Sequence, residues 1–212
     1  MVYASGQVKN IFPYINFEPK WFLLGGPADG NEAQVFHEVY PDTKILGIEP
    51  NQEAFKFQTD FGFPGTLLPN ALSSTNCSGR FQPNTIRSGW IVAQGKSPPT
   101  QTDAVDHPVE IITLDTLDRE FGPFSEAILW IDIEEAEFKA LEGANKLLQE
   151  KRIRLLNIEI IEPNLETNHE LERFIQYLGE FGYKKVGEWN AGPLSPGPIS
   201  RLRRDVIFSC EE

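Results

Sequence analysis

Four carboxylates and a glycine turn are the residues of this chain whose types and spacing best suit chemistry. Leu24-Gly25-Gly26-Pro27-Ala28-Asp29-Gly30 follows a short apolar run, and glycines there let the backbone turn tightly and approach a ligand closely. Glu49 ends the next apolar run, roughly 20 residues beyond the turn, where an acidic residue meets the ribose hydroxyls of a bound nucleotide. Asp132 and Glu159 end two further runs, and Glu134 lies just past Asp132. Carboxylates so placed can orient an ammonium group or take a proton from a hydroxyl as general base. Asp132, Glu134, Glu159 and His107 are the candidates for proton transfer, with Glu134 foremost by position. Each also has a plainer reading: acidic residues in a first helical turn favour the helix dipole, and a histidine in a polar loop is often only a surface residue. Asp132, Glu134 and Glu135 could hold Mg²⁺, but no further ligand is evident, and no metal is expected.

The kind of ligand follows from the turn. A pyrophosphate wants the G-x-G-x-x-G pattern and open amide donors. Here Pro27 removes a donor and Asp29 would repel a phosphate. S-adenosyl-L-methionine carries a sulfonium, an ammonium and a carboxylate but no phosphate, and an acidic turn suits it better. The expected cofactor is therefore S-adenosyl-L-methionine, held by Gly25, Gly26, Pro27, Ala28, Gly30 and Glu49, with Asp132 on its amino group. A nicotinamide dinucleotide remains the alternative.

The elements that must position these residues alternate. Strands are expected at Trp21-Phe22-Leu23-Leu24, at Lys44 to Ile48, weakly at Gly65 to Leu68, at Val109 to Ile112, at Ala127 to Asp132, at Ile153 to Ile160, and at Lys184 to Trp189 and Asp205 to Ser209. Helical spacing appears from Ala33 to Tyr40, over 52–61, over 134–150 with Phe138, Leu141, Ala144, Leu147 and Leu148 on one face, and over 169–181 with Gly182 as a cap. Alternating strands and helices imply a mostly parallel sheet with helices on both faces. Two closing strands without a helix between them suggest a final antiparallel pair, an ending found in methyltransferase sheets rather than dehydrogenase sheets. Residues 1–20 are a lead-in; 73–107, with a hairpin around Phe81 and Trp90 to Ala93, and 190–204 are expected as substrate-side loops.

The chain's 212 residues suit a single domain spanning 1–212. A formal net charge of −12 argues against broad nucleic-acid or anionic-membrane binding. No apolar run is long enough for a membrane span, no secretory signal is read, and the two cysteines, Cys77 and Cys210, read as free thiols, so the expected location is the cytoplasm.

Ordered motifs then resemble the FkbM family of methyltransferases from about Phe22 to Tyr183. Trp130-Ile131-Asp132-Ile133-Glu134-Glu135-Ala136-Glu137 with Ala140-Leu141-Glu142-Gly143-Ala144 is similar to the family's Lys-Ile-Asp-Val-Glu-Gly-Ala-Glu and following Val-Leu-x-Gly-Ala. Ile48-Glu49-Pro50-Asn51, Asn70-Ala71-Leu72-Ser73, Thr113-Leu114-Asp115-Thr116-Leu117, Asn157-Ile158-Glu159 and Gly182-Tyr183 match further family segments. The resemblance implies a Rossmann-like class I methyltransferase fold, adds Asn70 and Ala71 to the cofactor set, and implies O-methylation of a sugar, glycan or related natural product. Leu24 stands where the family has an aspartate, Trp130 where it has a lysine, and Glu135 where it has a glycine. These departures mark a divergent member or one that has lost activity, and a non-catalytic binding module is the rival reading. Trp90, Trp130 and Trp189 are candidates for stacking on a sugar ring, Trp130 most of all. Arg201, Arg203 and Arg204 could bind a phosphate on the acceptor. His37 and His169 lie in helical stretches and are assigned no role.

Overall fold

The computed structural model describes residues 7–85, 88–92, 106–163, 168–193 and 201–210. A 3-10 helix, Gln7–Tyr14, precedes β1 (Trp21–Gly25), α1 (Asn31–Val39), β2 (Lys44–Ile48), α2 (Gln52–Phe61) and β3 (Thr66–Leu68). The chain continues through β4 (Asn70–Leu72), β5 (Cys77–Thr85), β6 (Ser88–Val92), β7 (His107–Ile112) and α3 (Leu114–Phe121). It ends with β8 (Ala127–Ile131), α4 (Glu137–Glu142), α5 (Asn145–Gln149), β9 (Ile153–Glu162), α6 (His169–Glu180), β10 (Tyr183–Pro193) and β11 (Leu202–Cys210).

Seven strands form the central sheet in the order β10-β11-β9-β8-β1-β2-β3. The five from β9 to β3 are parallel, and β11 pairs antiparallel with both β9 and β10. The expected mostly parallel sheet with a closing antiparallel pair is thus present. The strand order reverses at β1, which lies between β2 and β8, and in open sheets of this kind ligands bind beyond the C-terminal ends of the strands at such a switch point.

Short-range chemistry sets the helix ends. The Asn51 side chain accepts the amides of Glu53 and Ala54 and caps α2, which Gly62 ends at φ 80°. Thr113 caps α3 through the Thr116 amide. Asp115 reaches across to accept the amides of Lys146 and Leu147 at the start of α5, which gives the motif aspartate a structural task. Glu162, fully buried, accepts the amides of Glu170 and Leu171 and starts α6.

Several expectations need correction. The helix expected over 134–150 is two short helices that begin only at Glu137 and break at Gly143-Ala144. A Cβ on Gly143 would sit 2.3 Å from the Ser73 carbonyl oxygen, so this turn is wedged against the segment after β4. The 73–107 region is more than a loop: its expected hairpin is β5–β6, and with β4 and β7 it forms a second sheet in the order β4-β7-β5-β6. Residues 93–105 lie outside the described residues. Of the loop expected over 190–204, residues 190–193 belong to β10 and 202–204 to β11, and 194–200 lie outside the described residues.

Candidate active site

The site is built where β1, β2 and β8 end. Gly26 has φ +74°, and a Cβ there would lie 2.0 Å from the Asp132 carbonyl oxygen. Only glycine lets the end of β1 lie this close to the segment after β8. The Gly26 amide donates to Ile48 O and the Asp132 amide to Gly25 O, extending the ladder into the turns. Glu49 ties the turns together. Its Oε2 accepts the Ala28 amide at 3.0 Å and its Oε1 the Asn51 amide at 2.9 Å. Burial pushes the Glu49 carboxyl up to about 7, with Asp132 adding to the rise and the two amides opposing it.

A cleft of about 480 Å³, counted to its open mouth, lies over these ends. Gly26, Glu49, Asn51, Ala71, Asp132 and Glu134 line it, together with Phe81 and Gly89 from the β5–β6 hairpin. A Cβ on Gly89 would come within 2.3 Å of the Phe81 ring, so glycine makes room for that ring at the cleft wall. None of the described lining residues is basic. The lining fits S-adenosylmethionine: acceptor groups face the cleft, no described lining residue offers a cation to a phosphate, and the glycine turn leaves the backbone bare.

Behind the cleft stands a layer of carboxylates. Asp132, Glu137 and Glu159 bring one oxygen each within 4.8 Å of the others. A side-chain hydrogen bond joins Asp132 to Glu159, which requires one shared proton. Burial is the main cause that raises both. Glu137 accepts the Ile133 amide at 2.8 Å and is pushed up to about 8, chiefly by burial. Arg203 Nε lies 2.8 Å from Glu159 Oε1. The spacing is one that could hold a cation, but a guanidinium, a shared proton and a backbone amide already serve these oxygens. Glu134, at the rim, is pushed up to about 6 by burial first and by Asp132 second, with Arg203 and Arg201 pulling the other way. Such a carboxylate changes its protonation near neutral pH, which is what a general base needs.

Of the residues singled out in the sequence, Gly26, Glu49, Ala71, Asp132 and Glu134 meet in the cleft. Gly25, Pro27, Ala28 and Gly30 shape the turn but do not line it; Gly30, at φ +74°, lies against Gln58. Asn70 turns away and donates to the Glu110 carbonyl. Glu159 lies behind Asp132 and faces a second hollow. His107 stands opposite Phe81 in register, their ring centroids 5.6 Å apart, and lines neither hollow. Trp130 is corrected: it is 5% exposed and packs with Leu24 and Phe22 on the sheet face away from the cleft. Trp189 lies 5.9 Å from it and donates to Asn157. The phosphate reading of the arginines is corrected too. Arg201 grips Glu135, Arg203 pairs with Glu159, and Arg204 with Glu188. Phe81 and Gly89 were not singled out as site residues; the hairpin pattern placed them in sequence, but nothing there says where a second sheet docks.

No helix among the described residues is long and apolar enough to cross a membrane. Residues 26–185 match the family described as the methyltransferase FkbM domain. No curated protein matches the sequence. Among solved structures, the chain is similar to the precorrin-6y C5,15-methyltransferase of Geobacter metallireducens, with TM-score 0.52 and 11% identity over 97% of this chain and 86% of that one. It is also similar to a candidate RNA methyltransferase of Pyrococcus horikoshii, with TM-score 0.50 and 11% identity over 96% of this chain and 79% of that one.

Proposed function

The chain belongs to the FkbM family of S-adenosylmethionine-dependent methyltransferases, and from that premise we propose that it O-methylates a hydroxyl of a neutral sugar or glycan. The observation that carries this reading is the acidic cleft at the switch point, with Glu49, Asp132 and Glu134 around it and no basic residue among the described ones that line it. When bound, the cofactor supplies a methyl group on a sulfonium sulfur, ready for in-line attack by an aligned oxygen. Glu49 would hold the ribose hydroxyls, the Gly25-to-Gly30 turn the amino-acid portion, and Asp132 the ammonium group, with Ala71 and Phe81 available to the base. Glu134 takes the proton of the acceptor hydroxyl. The net charge of −12 counts against a nucleic-acid acceptor.

The rival reading, a fold retained without catalysis, rested on Leu24 and Trp130. These two residues face each other in register on neighbouring parallel strands and are both buried in one apolar cluster. They act as a single apolar exchange in the core and leave the cleft's carboxylates in place. The testing experiment is methyl transfer from labelled cofactor to a panel of neutral glycosides. The expected result is a methyl ether whose formation Glu134→Gln slows about a hundredfold, while S-adenosylhomocysteine still binds. Full activity in that variant would remove Glu134 from the role of base.

A further inference from the structure

A second hollow, of about 700 Å³ counted to its open mouth like the cleft, opens on the other side of the carboxylate layer, between β9, α6 and the residues after β8. Glu137 and Glu159 line it, and their oxygens lie within 4.8 Å of Asp132 in the cofactor cleft. The two hollows therefore share one wall. The rim of that wall is the turn Glu134-Glu135, whose φ angles are 57° and 71°. Glu134 lines the cleft and Glu135 the hollow. Two successive left-handed residues that are not glycine are disfavoured, and such strain persists where contacts enforce it, often at functional sites. The motif this segment resembles has glycine at 135, so here a glutamate is held against its backbone preference. Arg201 holds it, through two contacts of 2.7 and 2.6 Å.

We propose that this hollow, bounded by the Glu135–Arg201 pair and the rings of Phe138 and Phe174, is the acceptor subsite, and that it takes the body of a neutral, polyhydroxylated molecule. The proposal rests on the methyltransferase reading above and adds where the acceptor lies and what recognises it. The acceptor's reacting hydroxyl then crosses the turn to Glu134. The chemistry of the walls selects its class. Arg201 pairs with Glu135, Arg173 with Glu170 at 3.4 Å, and Arg203 with Glu159. Each guanidinium is partly neutralised by its carboxylate, which weakens its pull on a phosphate. A hydroxyl can donate to a carboxylate and accept from an N–H without breaking a pair. Phe138, whose ring carries the Arg173 guanidinium 3.5 Å from its centroid, meets the buried Phe174 edge to face at 5.3 Å and closes the apolar side of the hollow.

The test is saturation-transfer NMR of neutral methyl glycosides, with glucose 1-phosphate as comparator, on protein saturated with S-adenosylhomocysteine. Two variants alter only the rim pair: Glu135→Gly, which also relieves the left-handed strain, and Arg201→Met. The expected result is a glycoside signal in the native protein that weakens roughly tenfold in both variants, with calorimetric affinity for S-adenosylhomocysteine unchanged. Glycoside binding that is equal in all three proteins would overturn the subsite and leave the carbohydrate reading standing. Preference for the sugar phosphate would overturn the chemistry assigned to the hollow. No binding of any glycoside would overturn both.

Discussion

Glu49 has a structural task besides the cofactor role proposed for it. Both its oxygens accept backbone amides, which join the glycine turn to the end of β2, and each retains lone-pair capacity for a ribose hydroxyl. Replacing it removes charge-assisted bonds of about 1.5–3 kcal/mol each. Glu49→Ala is therefore expected to weaken S-adenosylhomocysteine binding by a hundredfold or more in calorimetry, and unchanged affinity would take Glu49 out of the site. Glu49, Asp132 and Glu134 could be singled out in the sequence because each stands at or just past the end of an apolar run, on the side of an open sheet where ligands bind. Trp130 was not. The strand β8 is buried along its whole length, so no alternation of polar and apolar residues tells which face a given side chain takes. An aromatic residue two positions before Asp132 thus reads as a site residue although it packs into the opposite core.

At the scale of elements, the site depends on two turns that only unusual backbone permits. The turn after β1 requires glycine at 26, where any Cβ would collide with backbone rather than with a movable side chain. Gly26→Ala is expected to abolish cofactor binding and to lower the thermal midpoint by several degrees; a variant that binds normally would show that the close approach of β1 to Asp132 is dispensable. Asp115 acts farther away, as a cap on α5 supplied from another helix. Asp115→Ala should cost about 1–2 kcal/mol in denaturant unfolding while leaving cofactor affinity intact. Helical periodicity could not reveal the break at Gly143, because Leu141, Ala144, Leu147 and Leu148 keep their spacing across it. Nor could it reveal the second sheet. β4 has three residues, too few for a pattern, and its separation from β3 by Pro69 alone hides the change of sheet.

The whole molecule concentrates buried acid at one end of its sheet, and this has a consequence for stability. Glu49, Glu134 and Glu137 rise from 4.5 to about 7, 6 and 8. Between pH 4.5 and 8 the unfolded chain has released protons that the folded chain still holds, so stability falls as pH rises through this window. The thermal midpoint should be highest near pH 5 and decline toward pH 8, and a flat or rising profile would show that these groups titrate normally. A bound cation reverses the balance by favouring the ionised carboxylates, so the cofactor's stabilisation should grow with pH over the same window. Both effects follow from one arrangement: an acidic cleft built for a cationic nucleoside, kept although Leu24 and Trp130 replace the motif's charged pair. Calorimetric titration of the native protein with S-adenosylhomocysteine tests that claim most directly. The account predicts one site of low-micromolar affinity that Glu49→Ala loses; a folded native protein that gives no binding heat at millimolar ligand would contradict it.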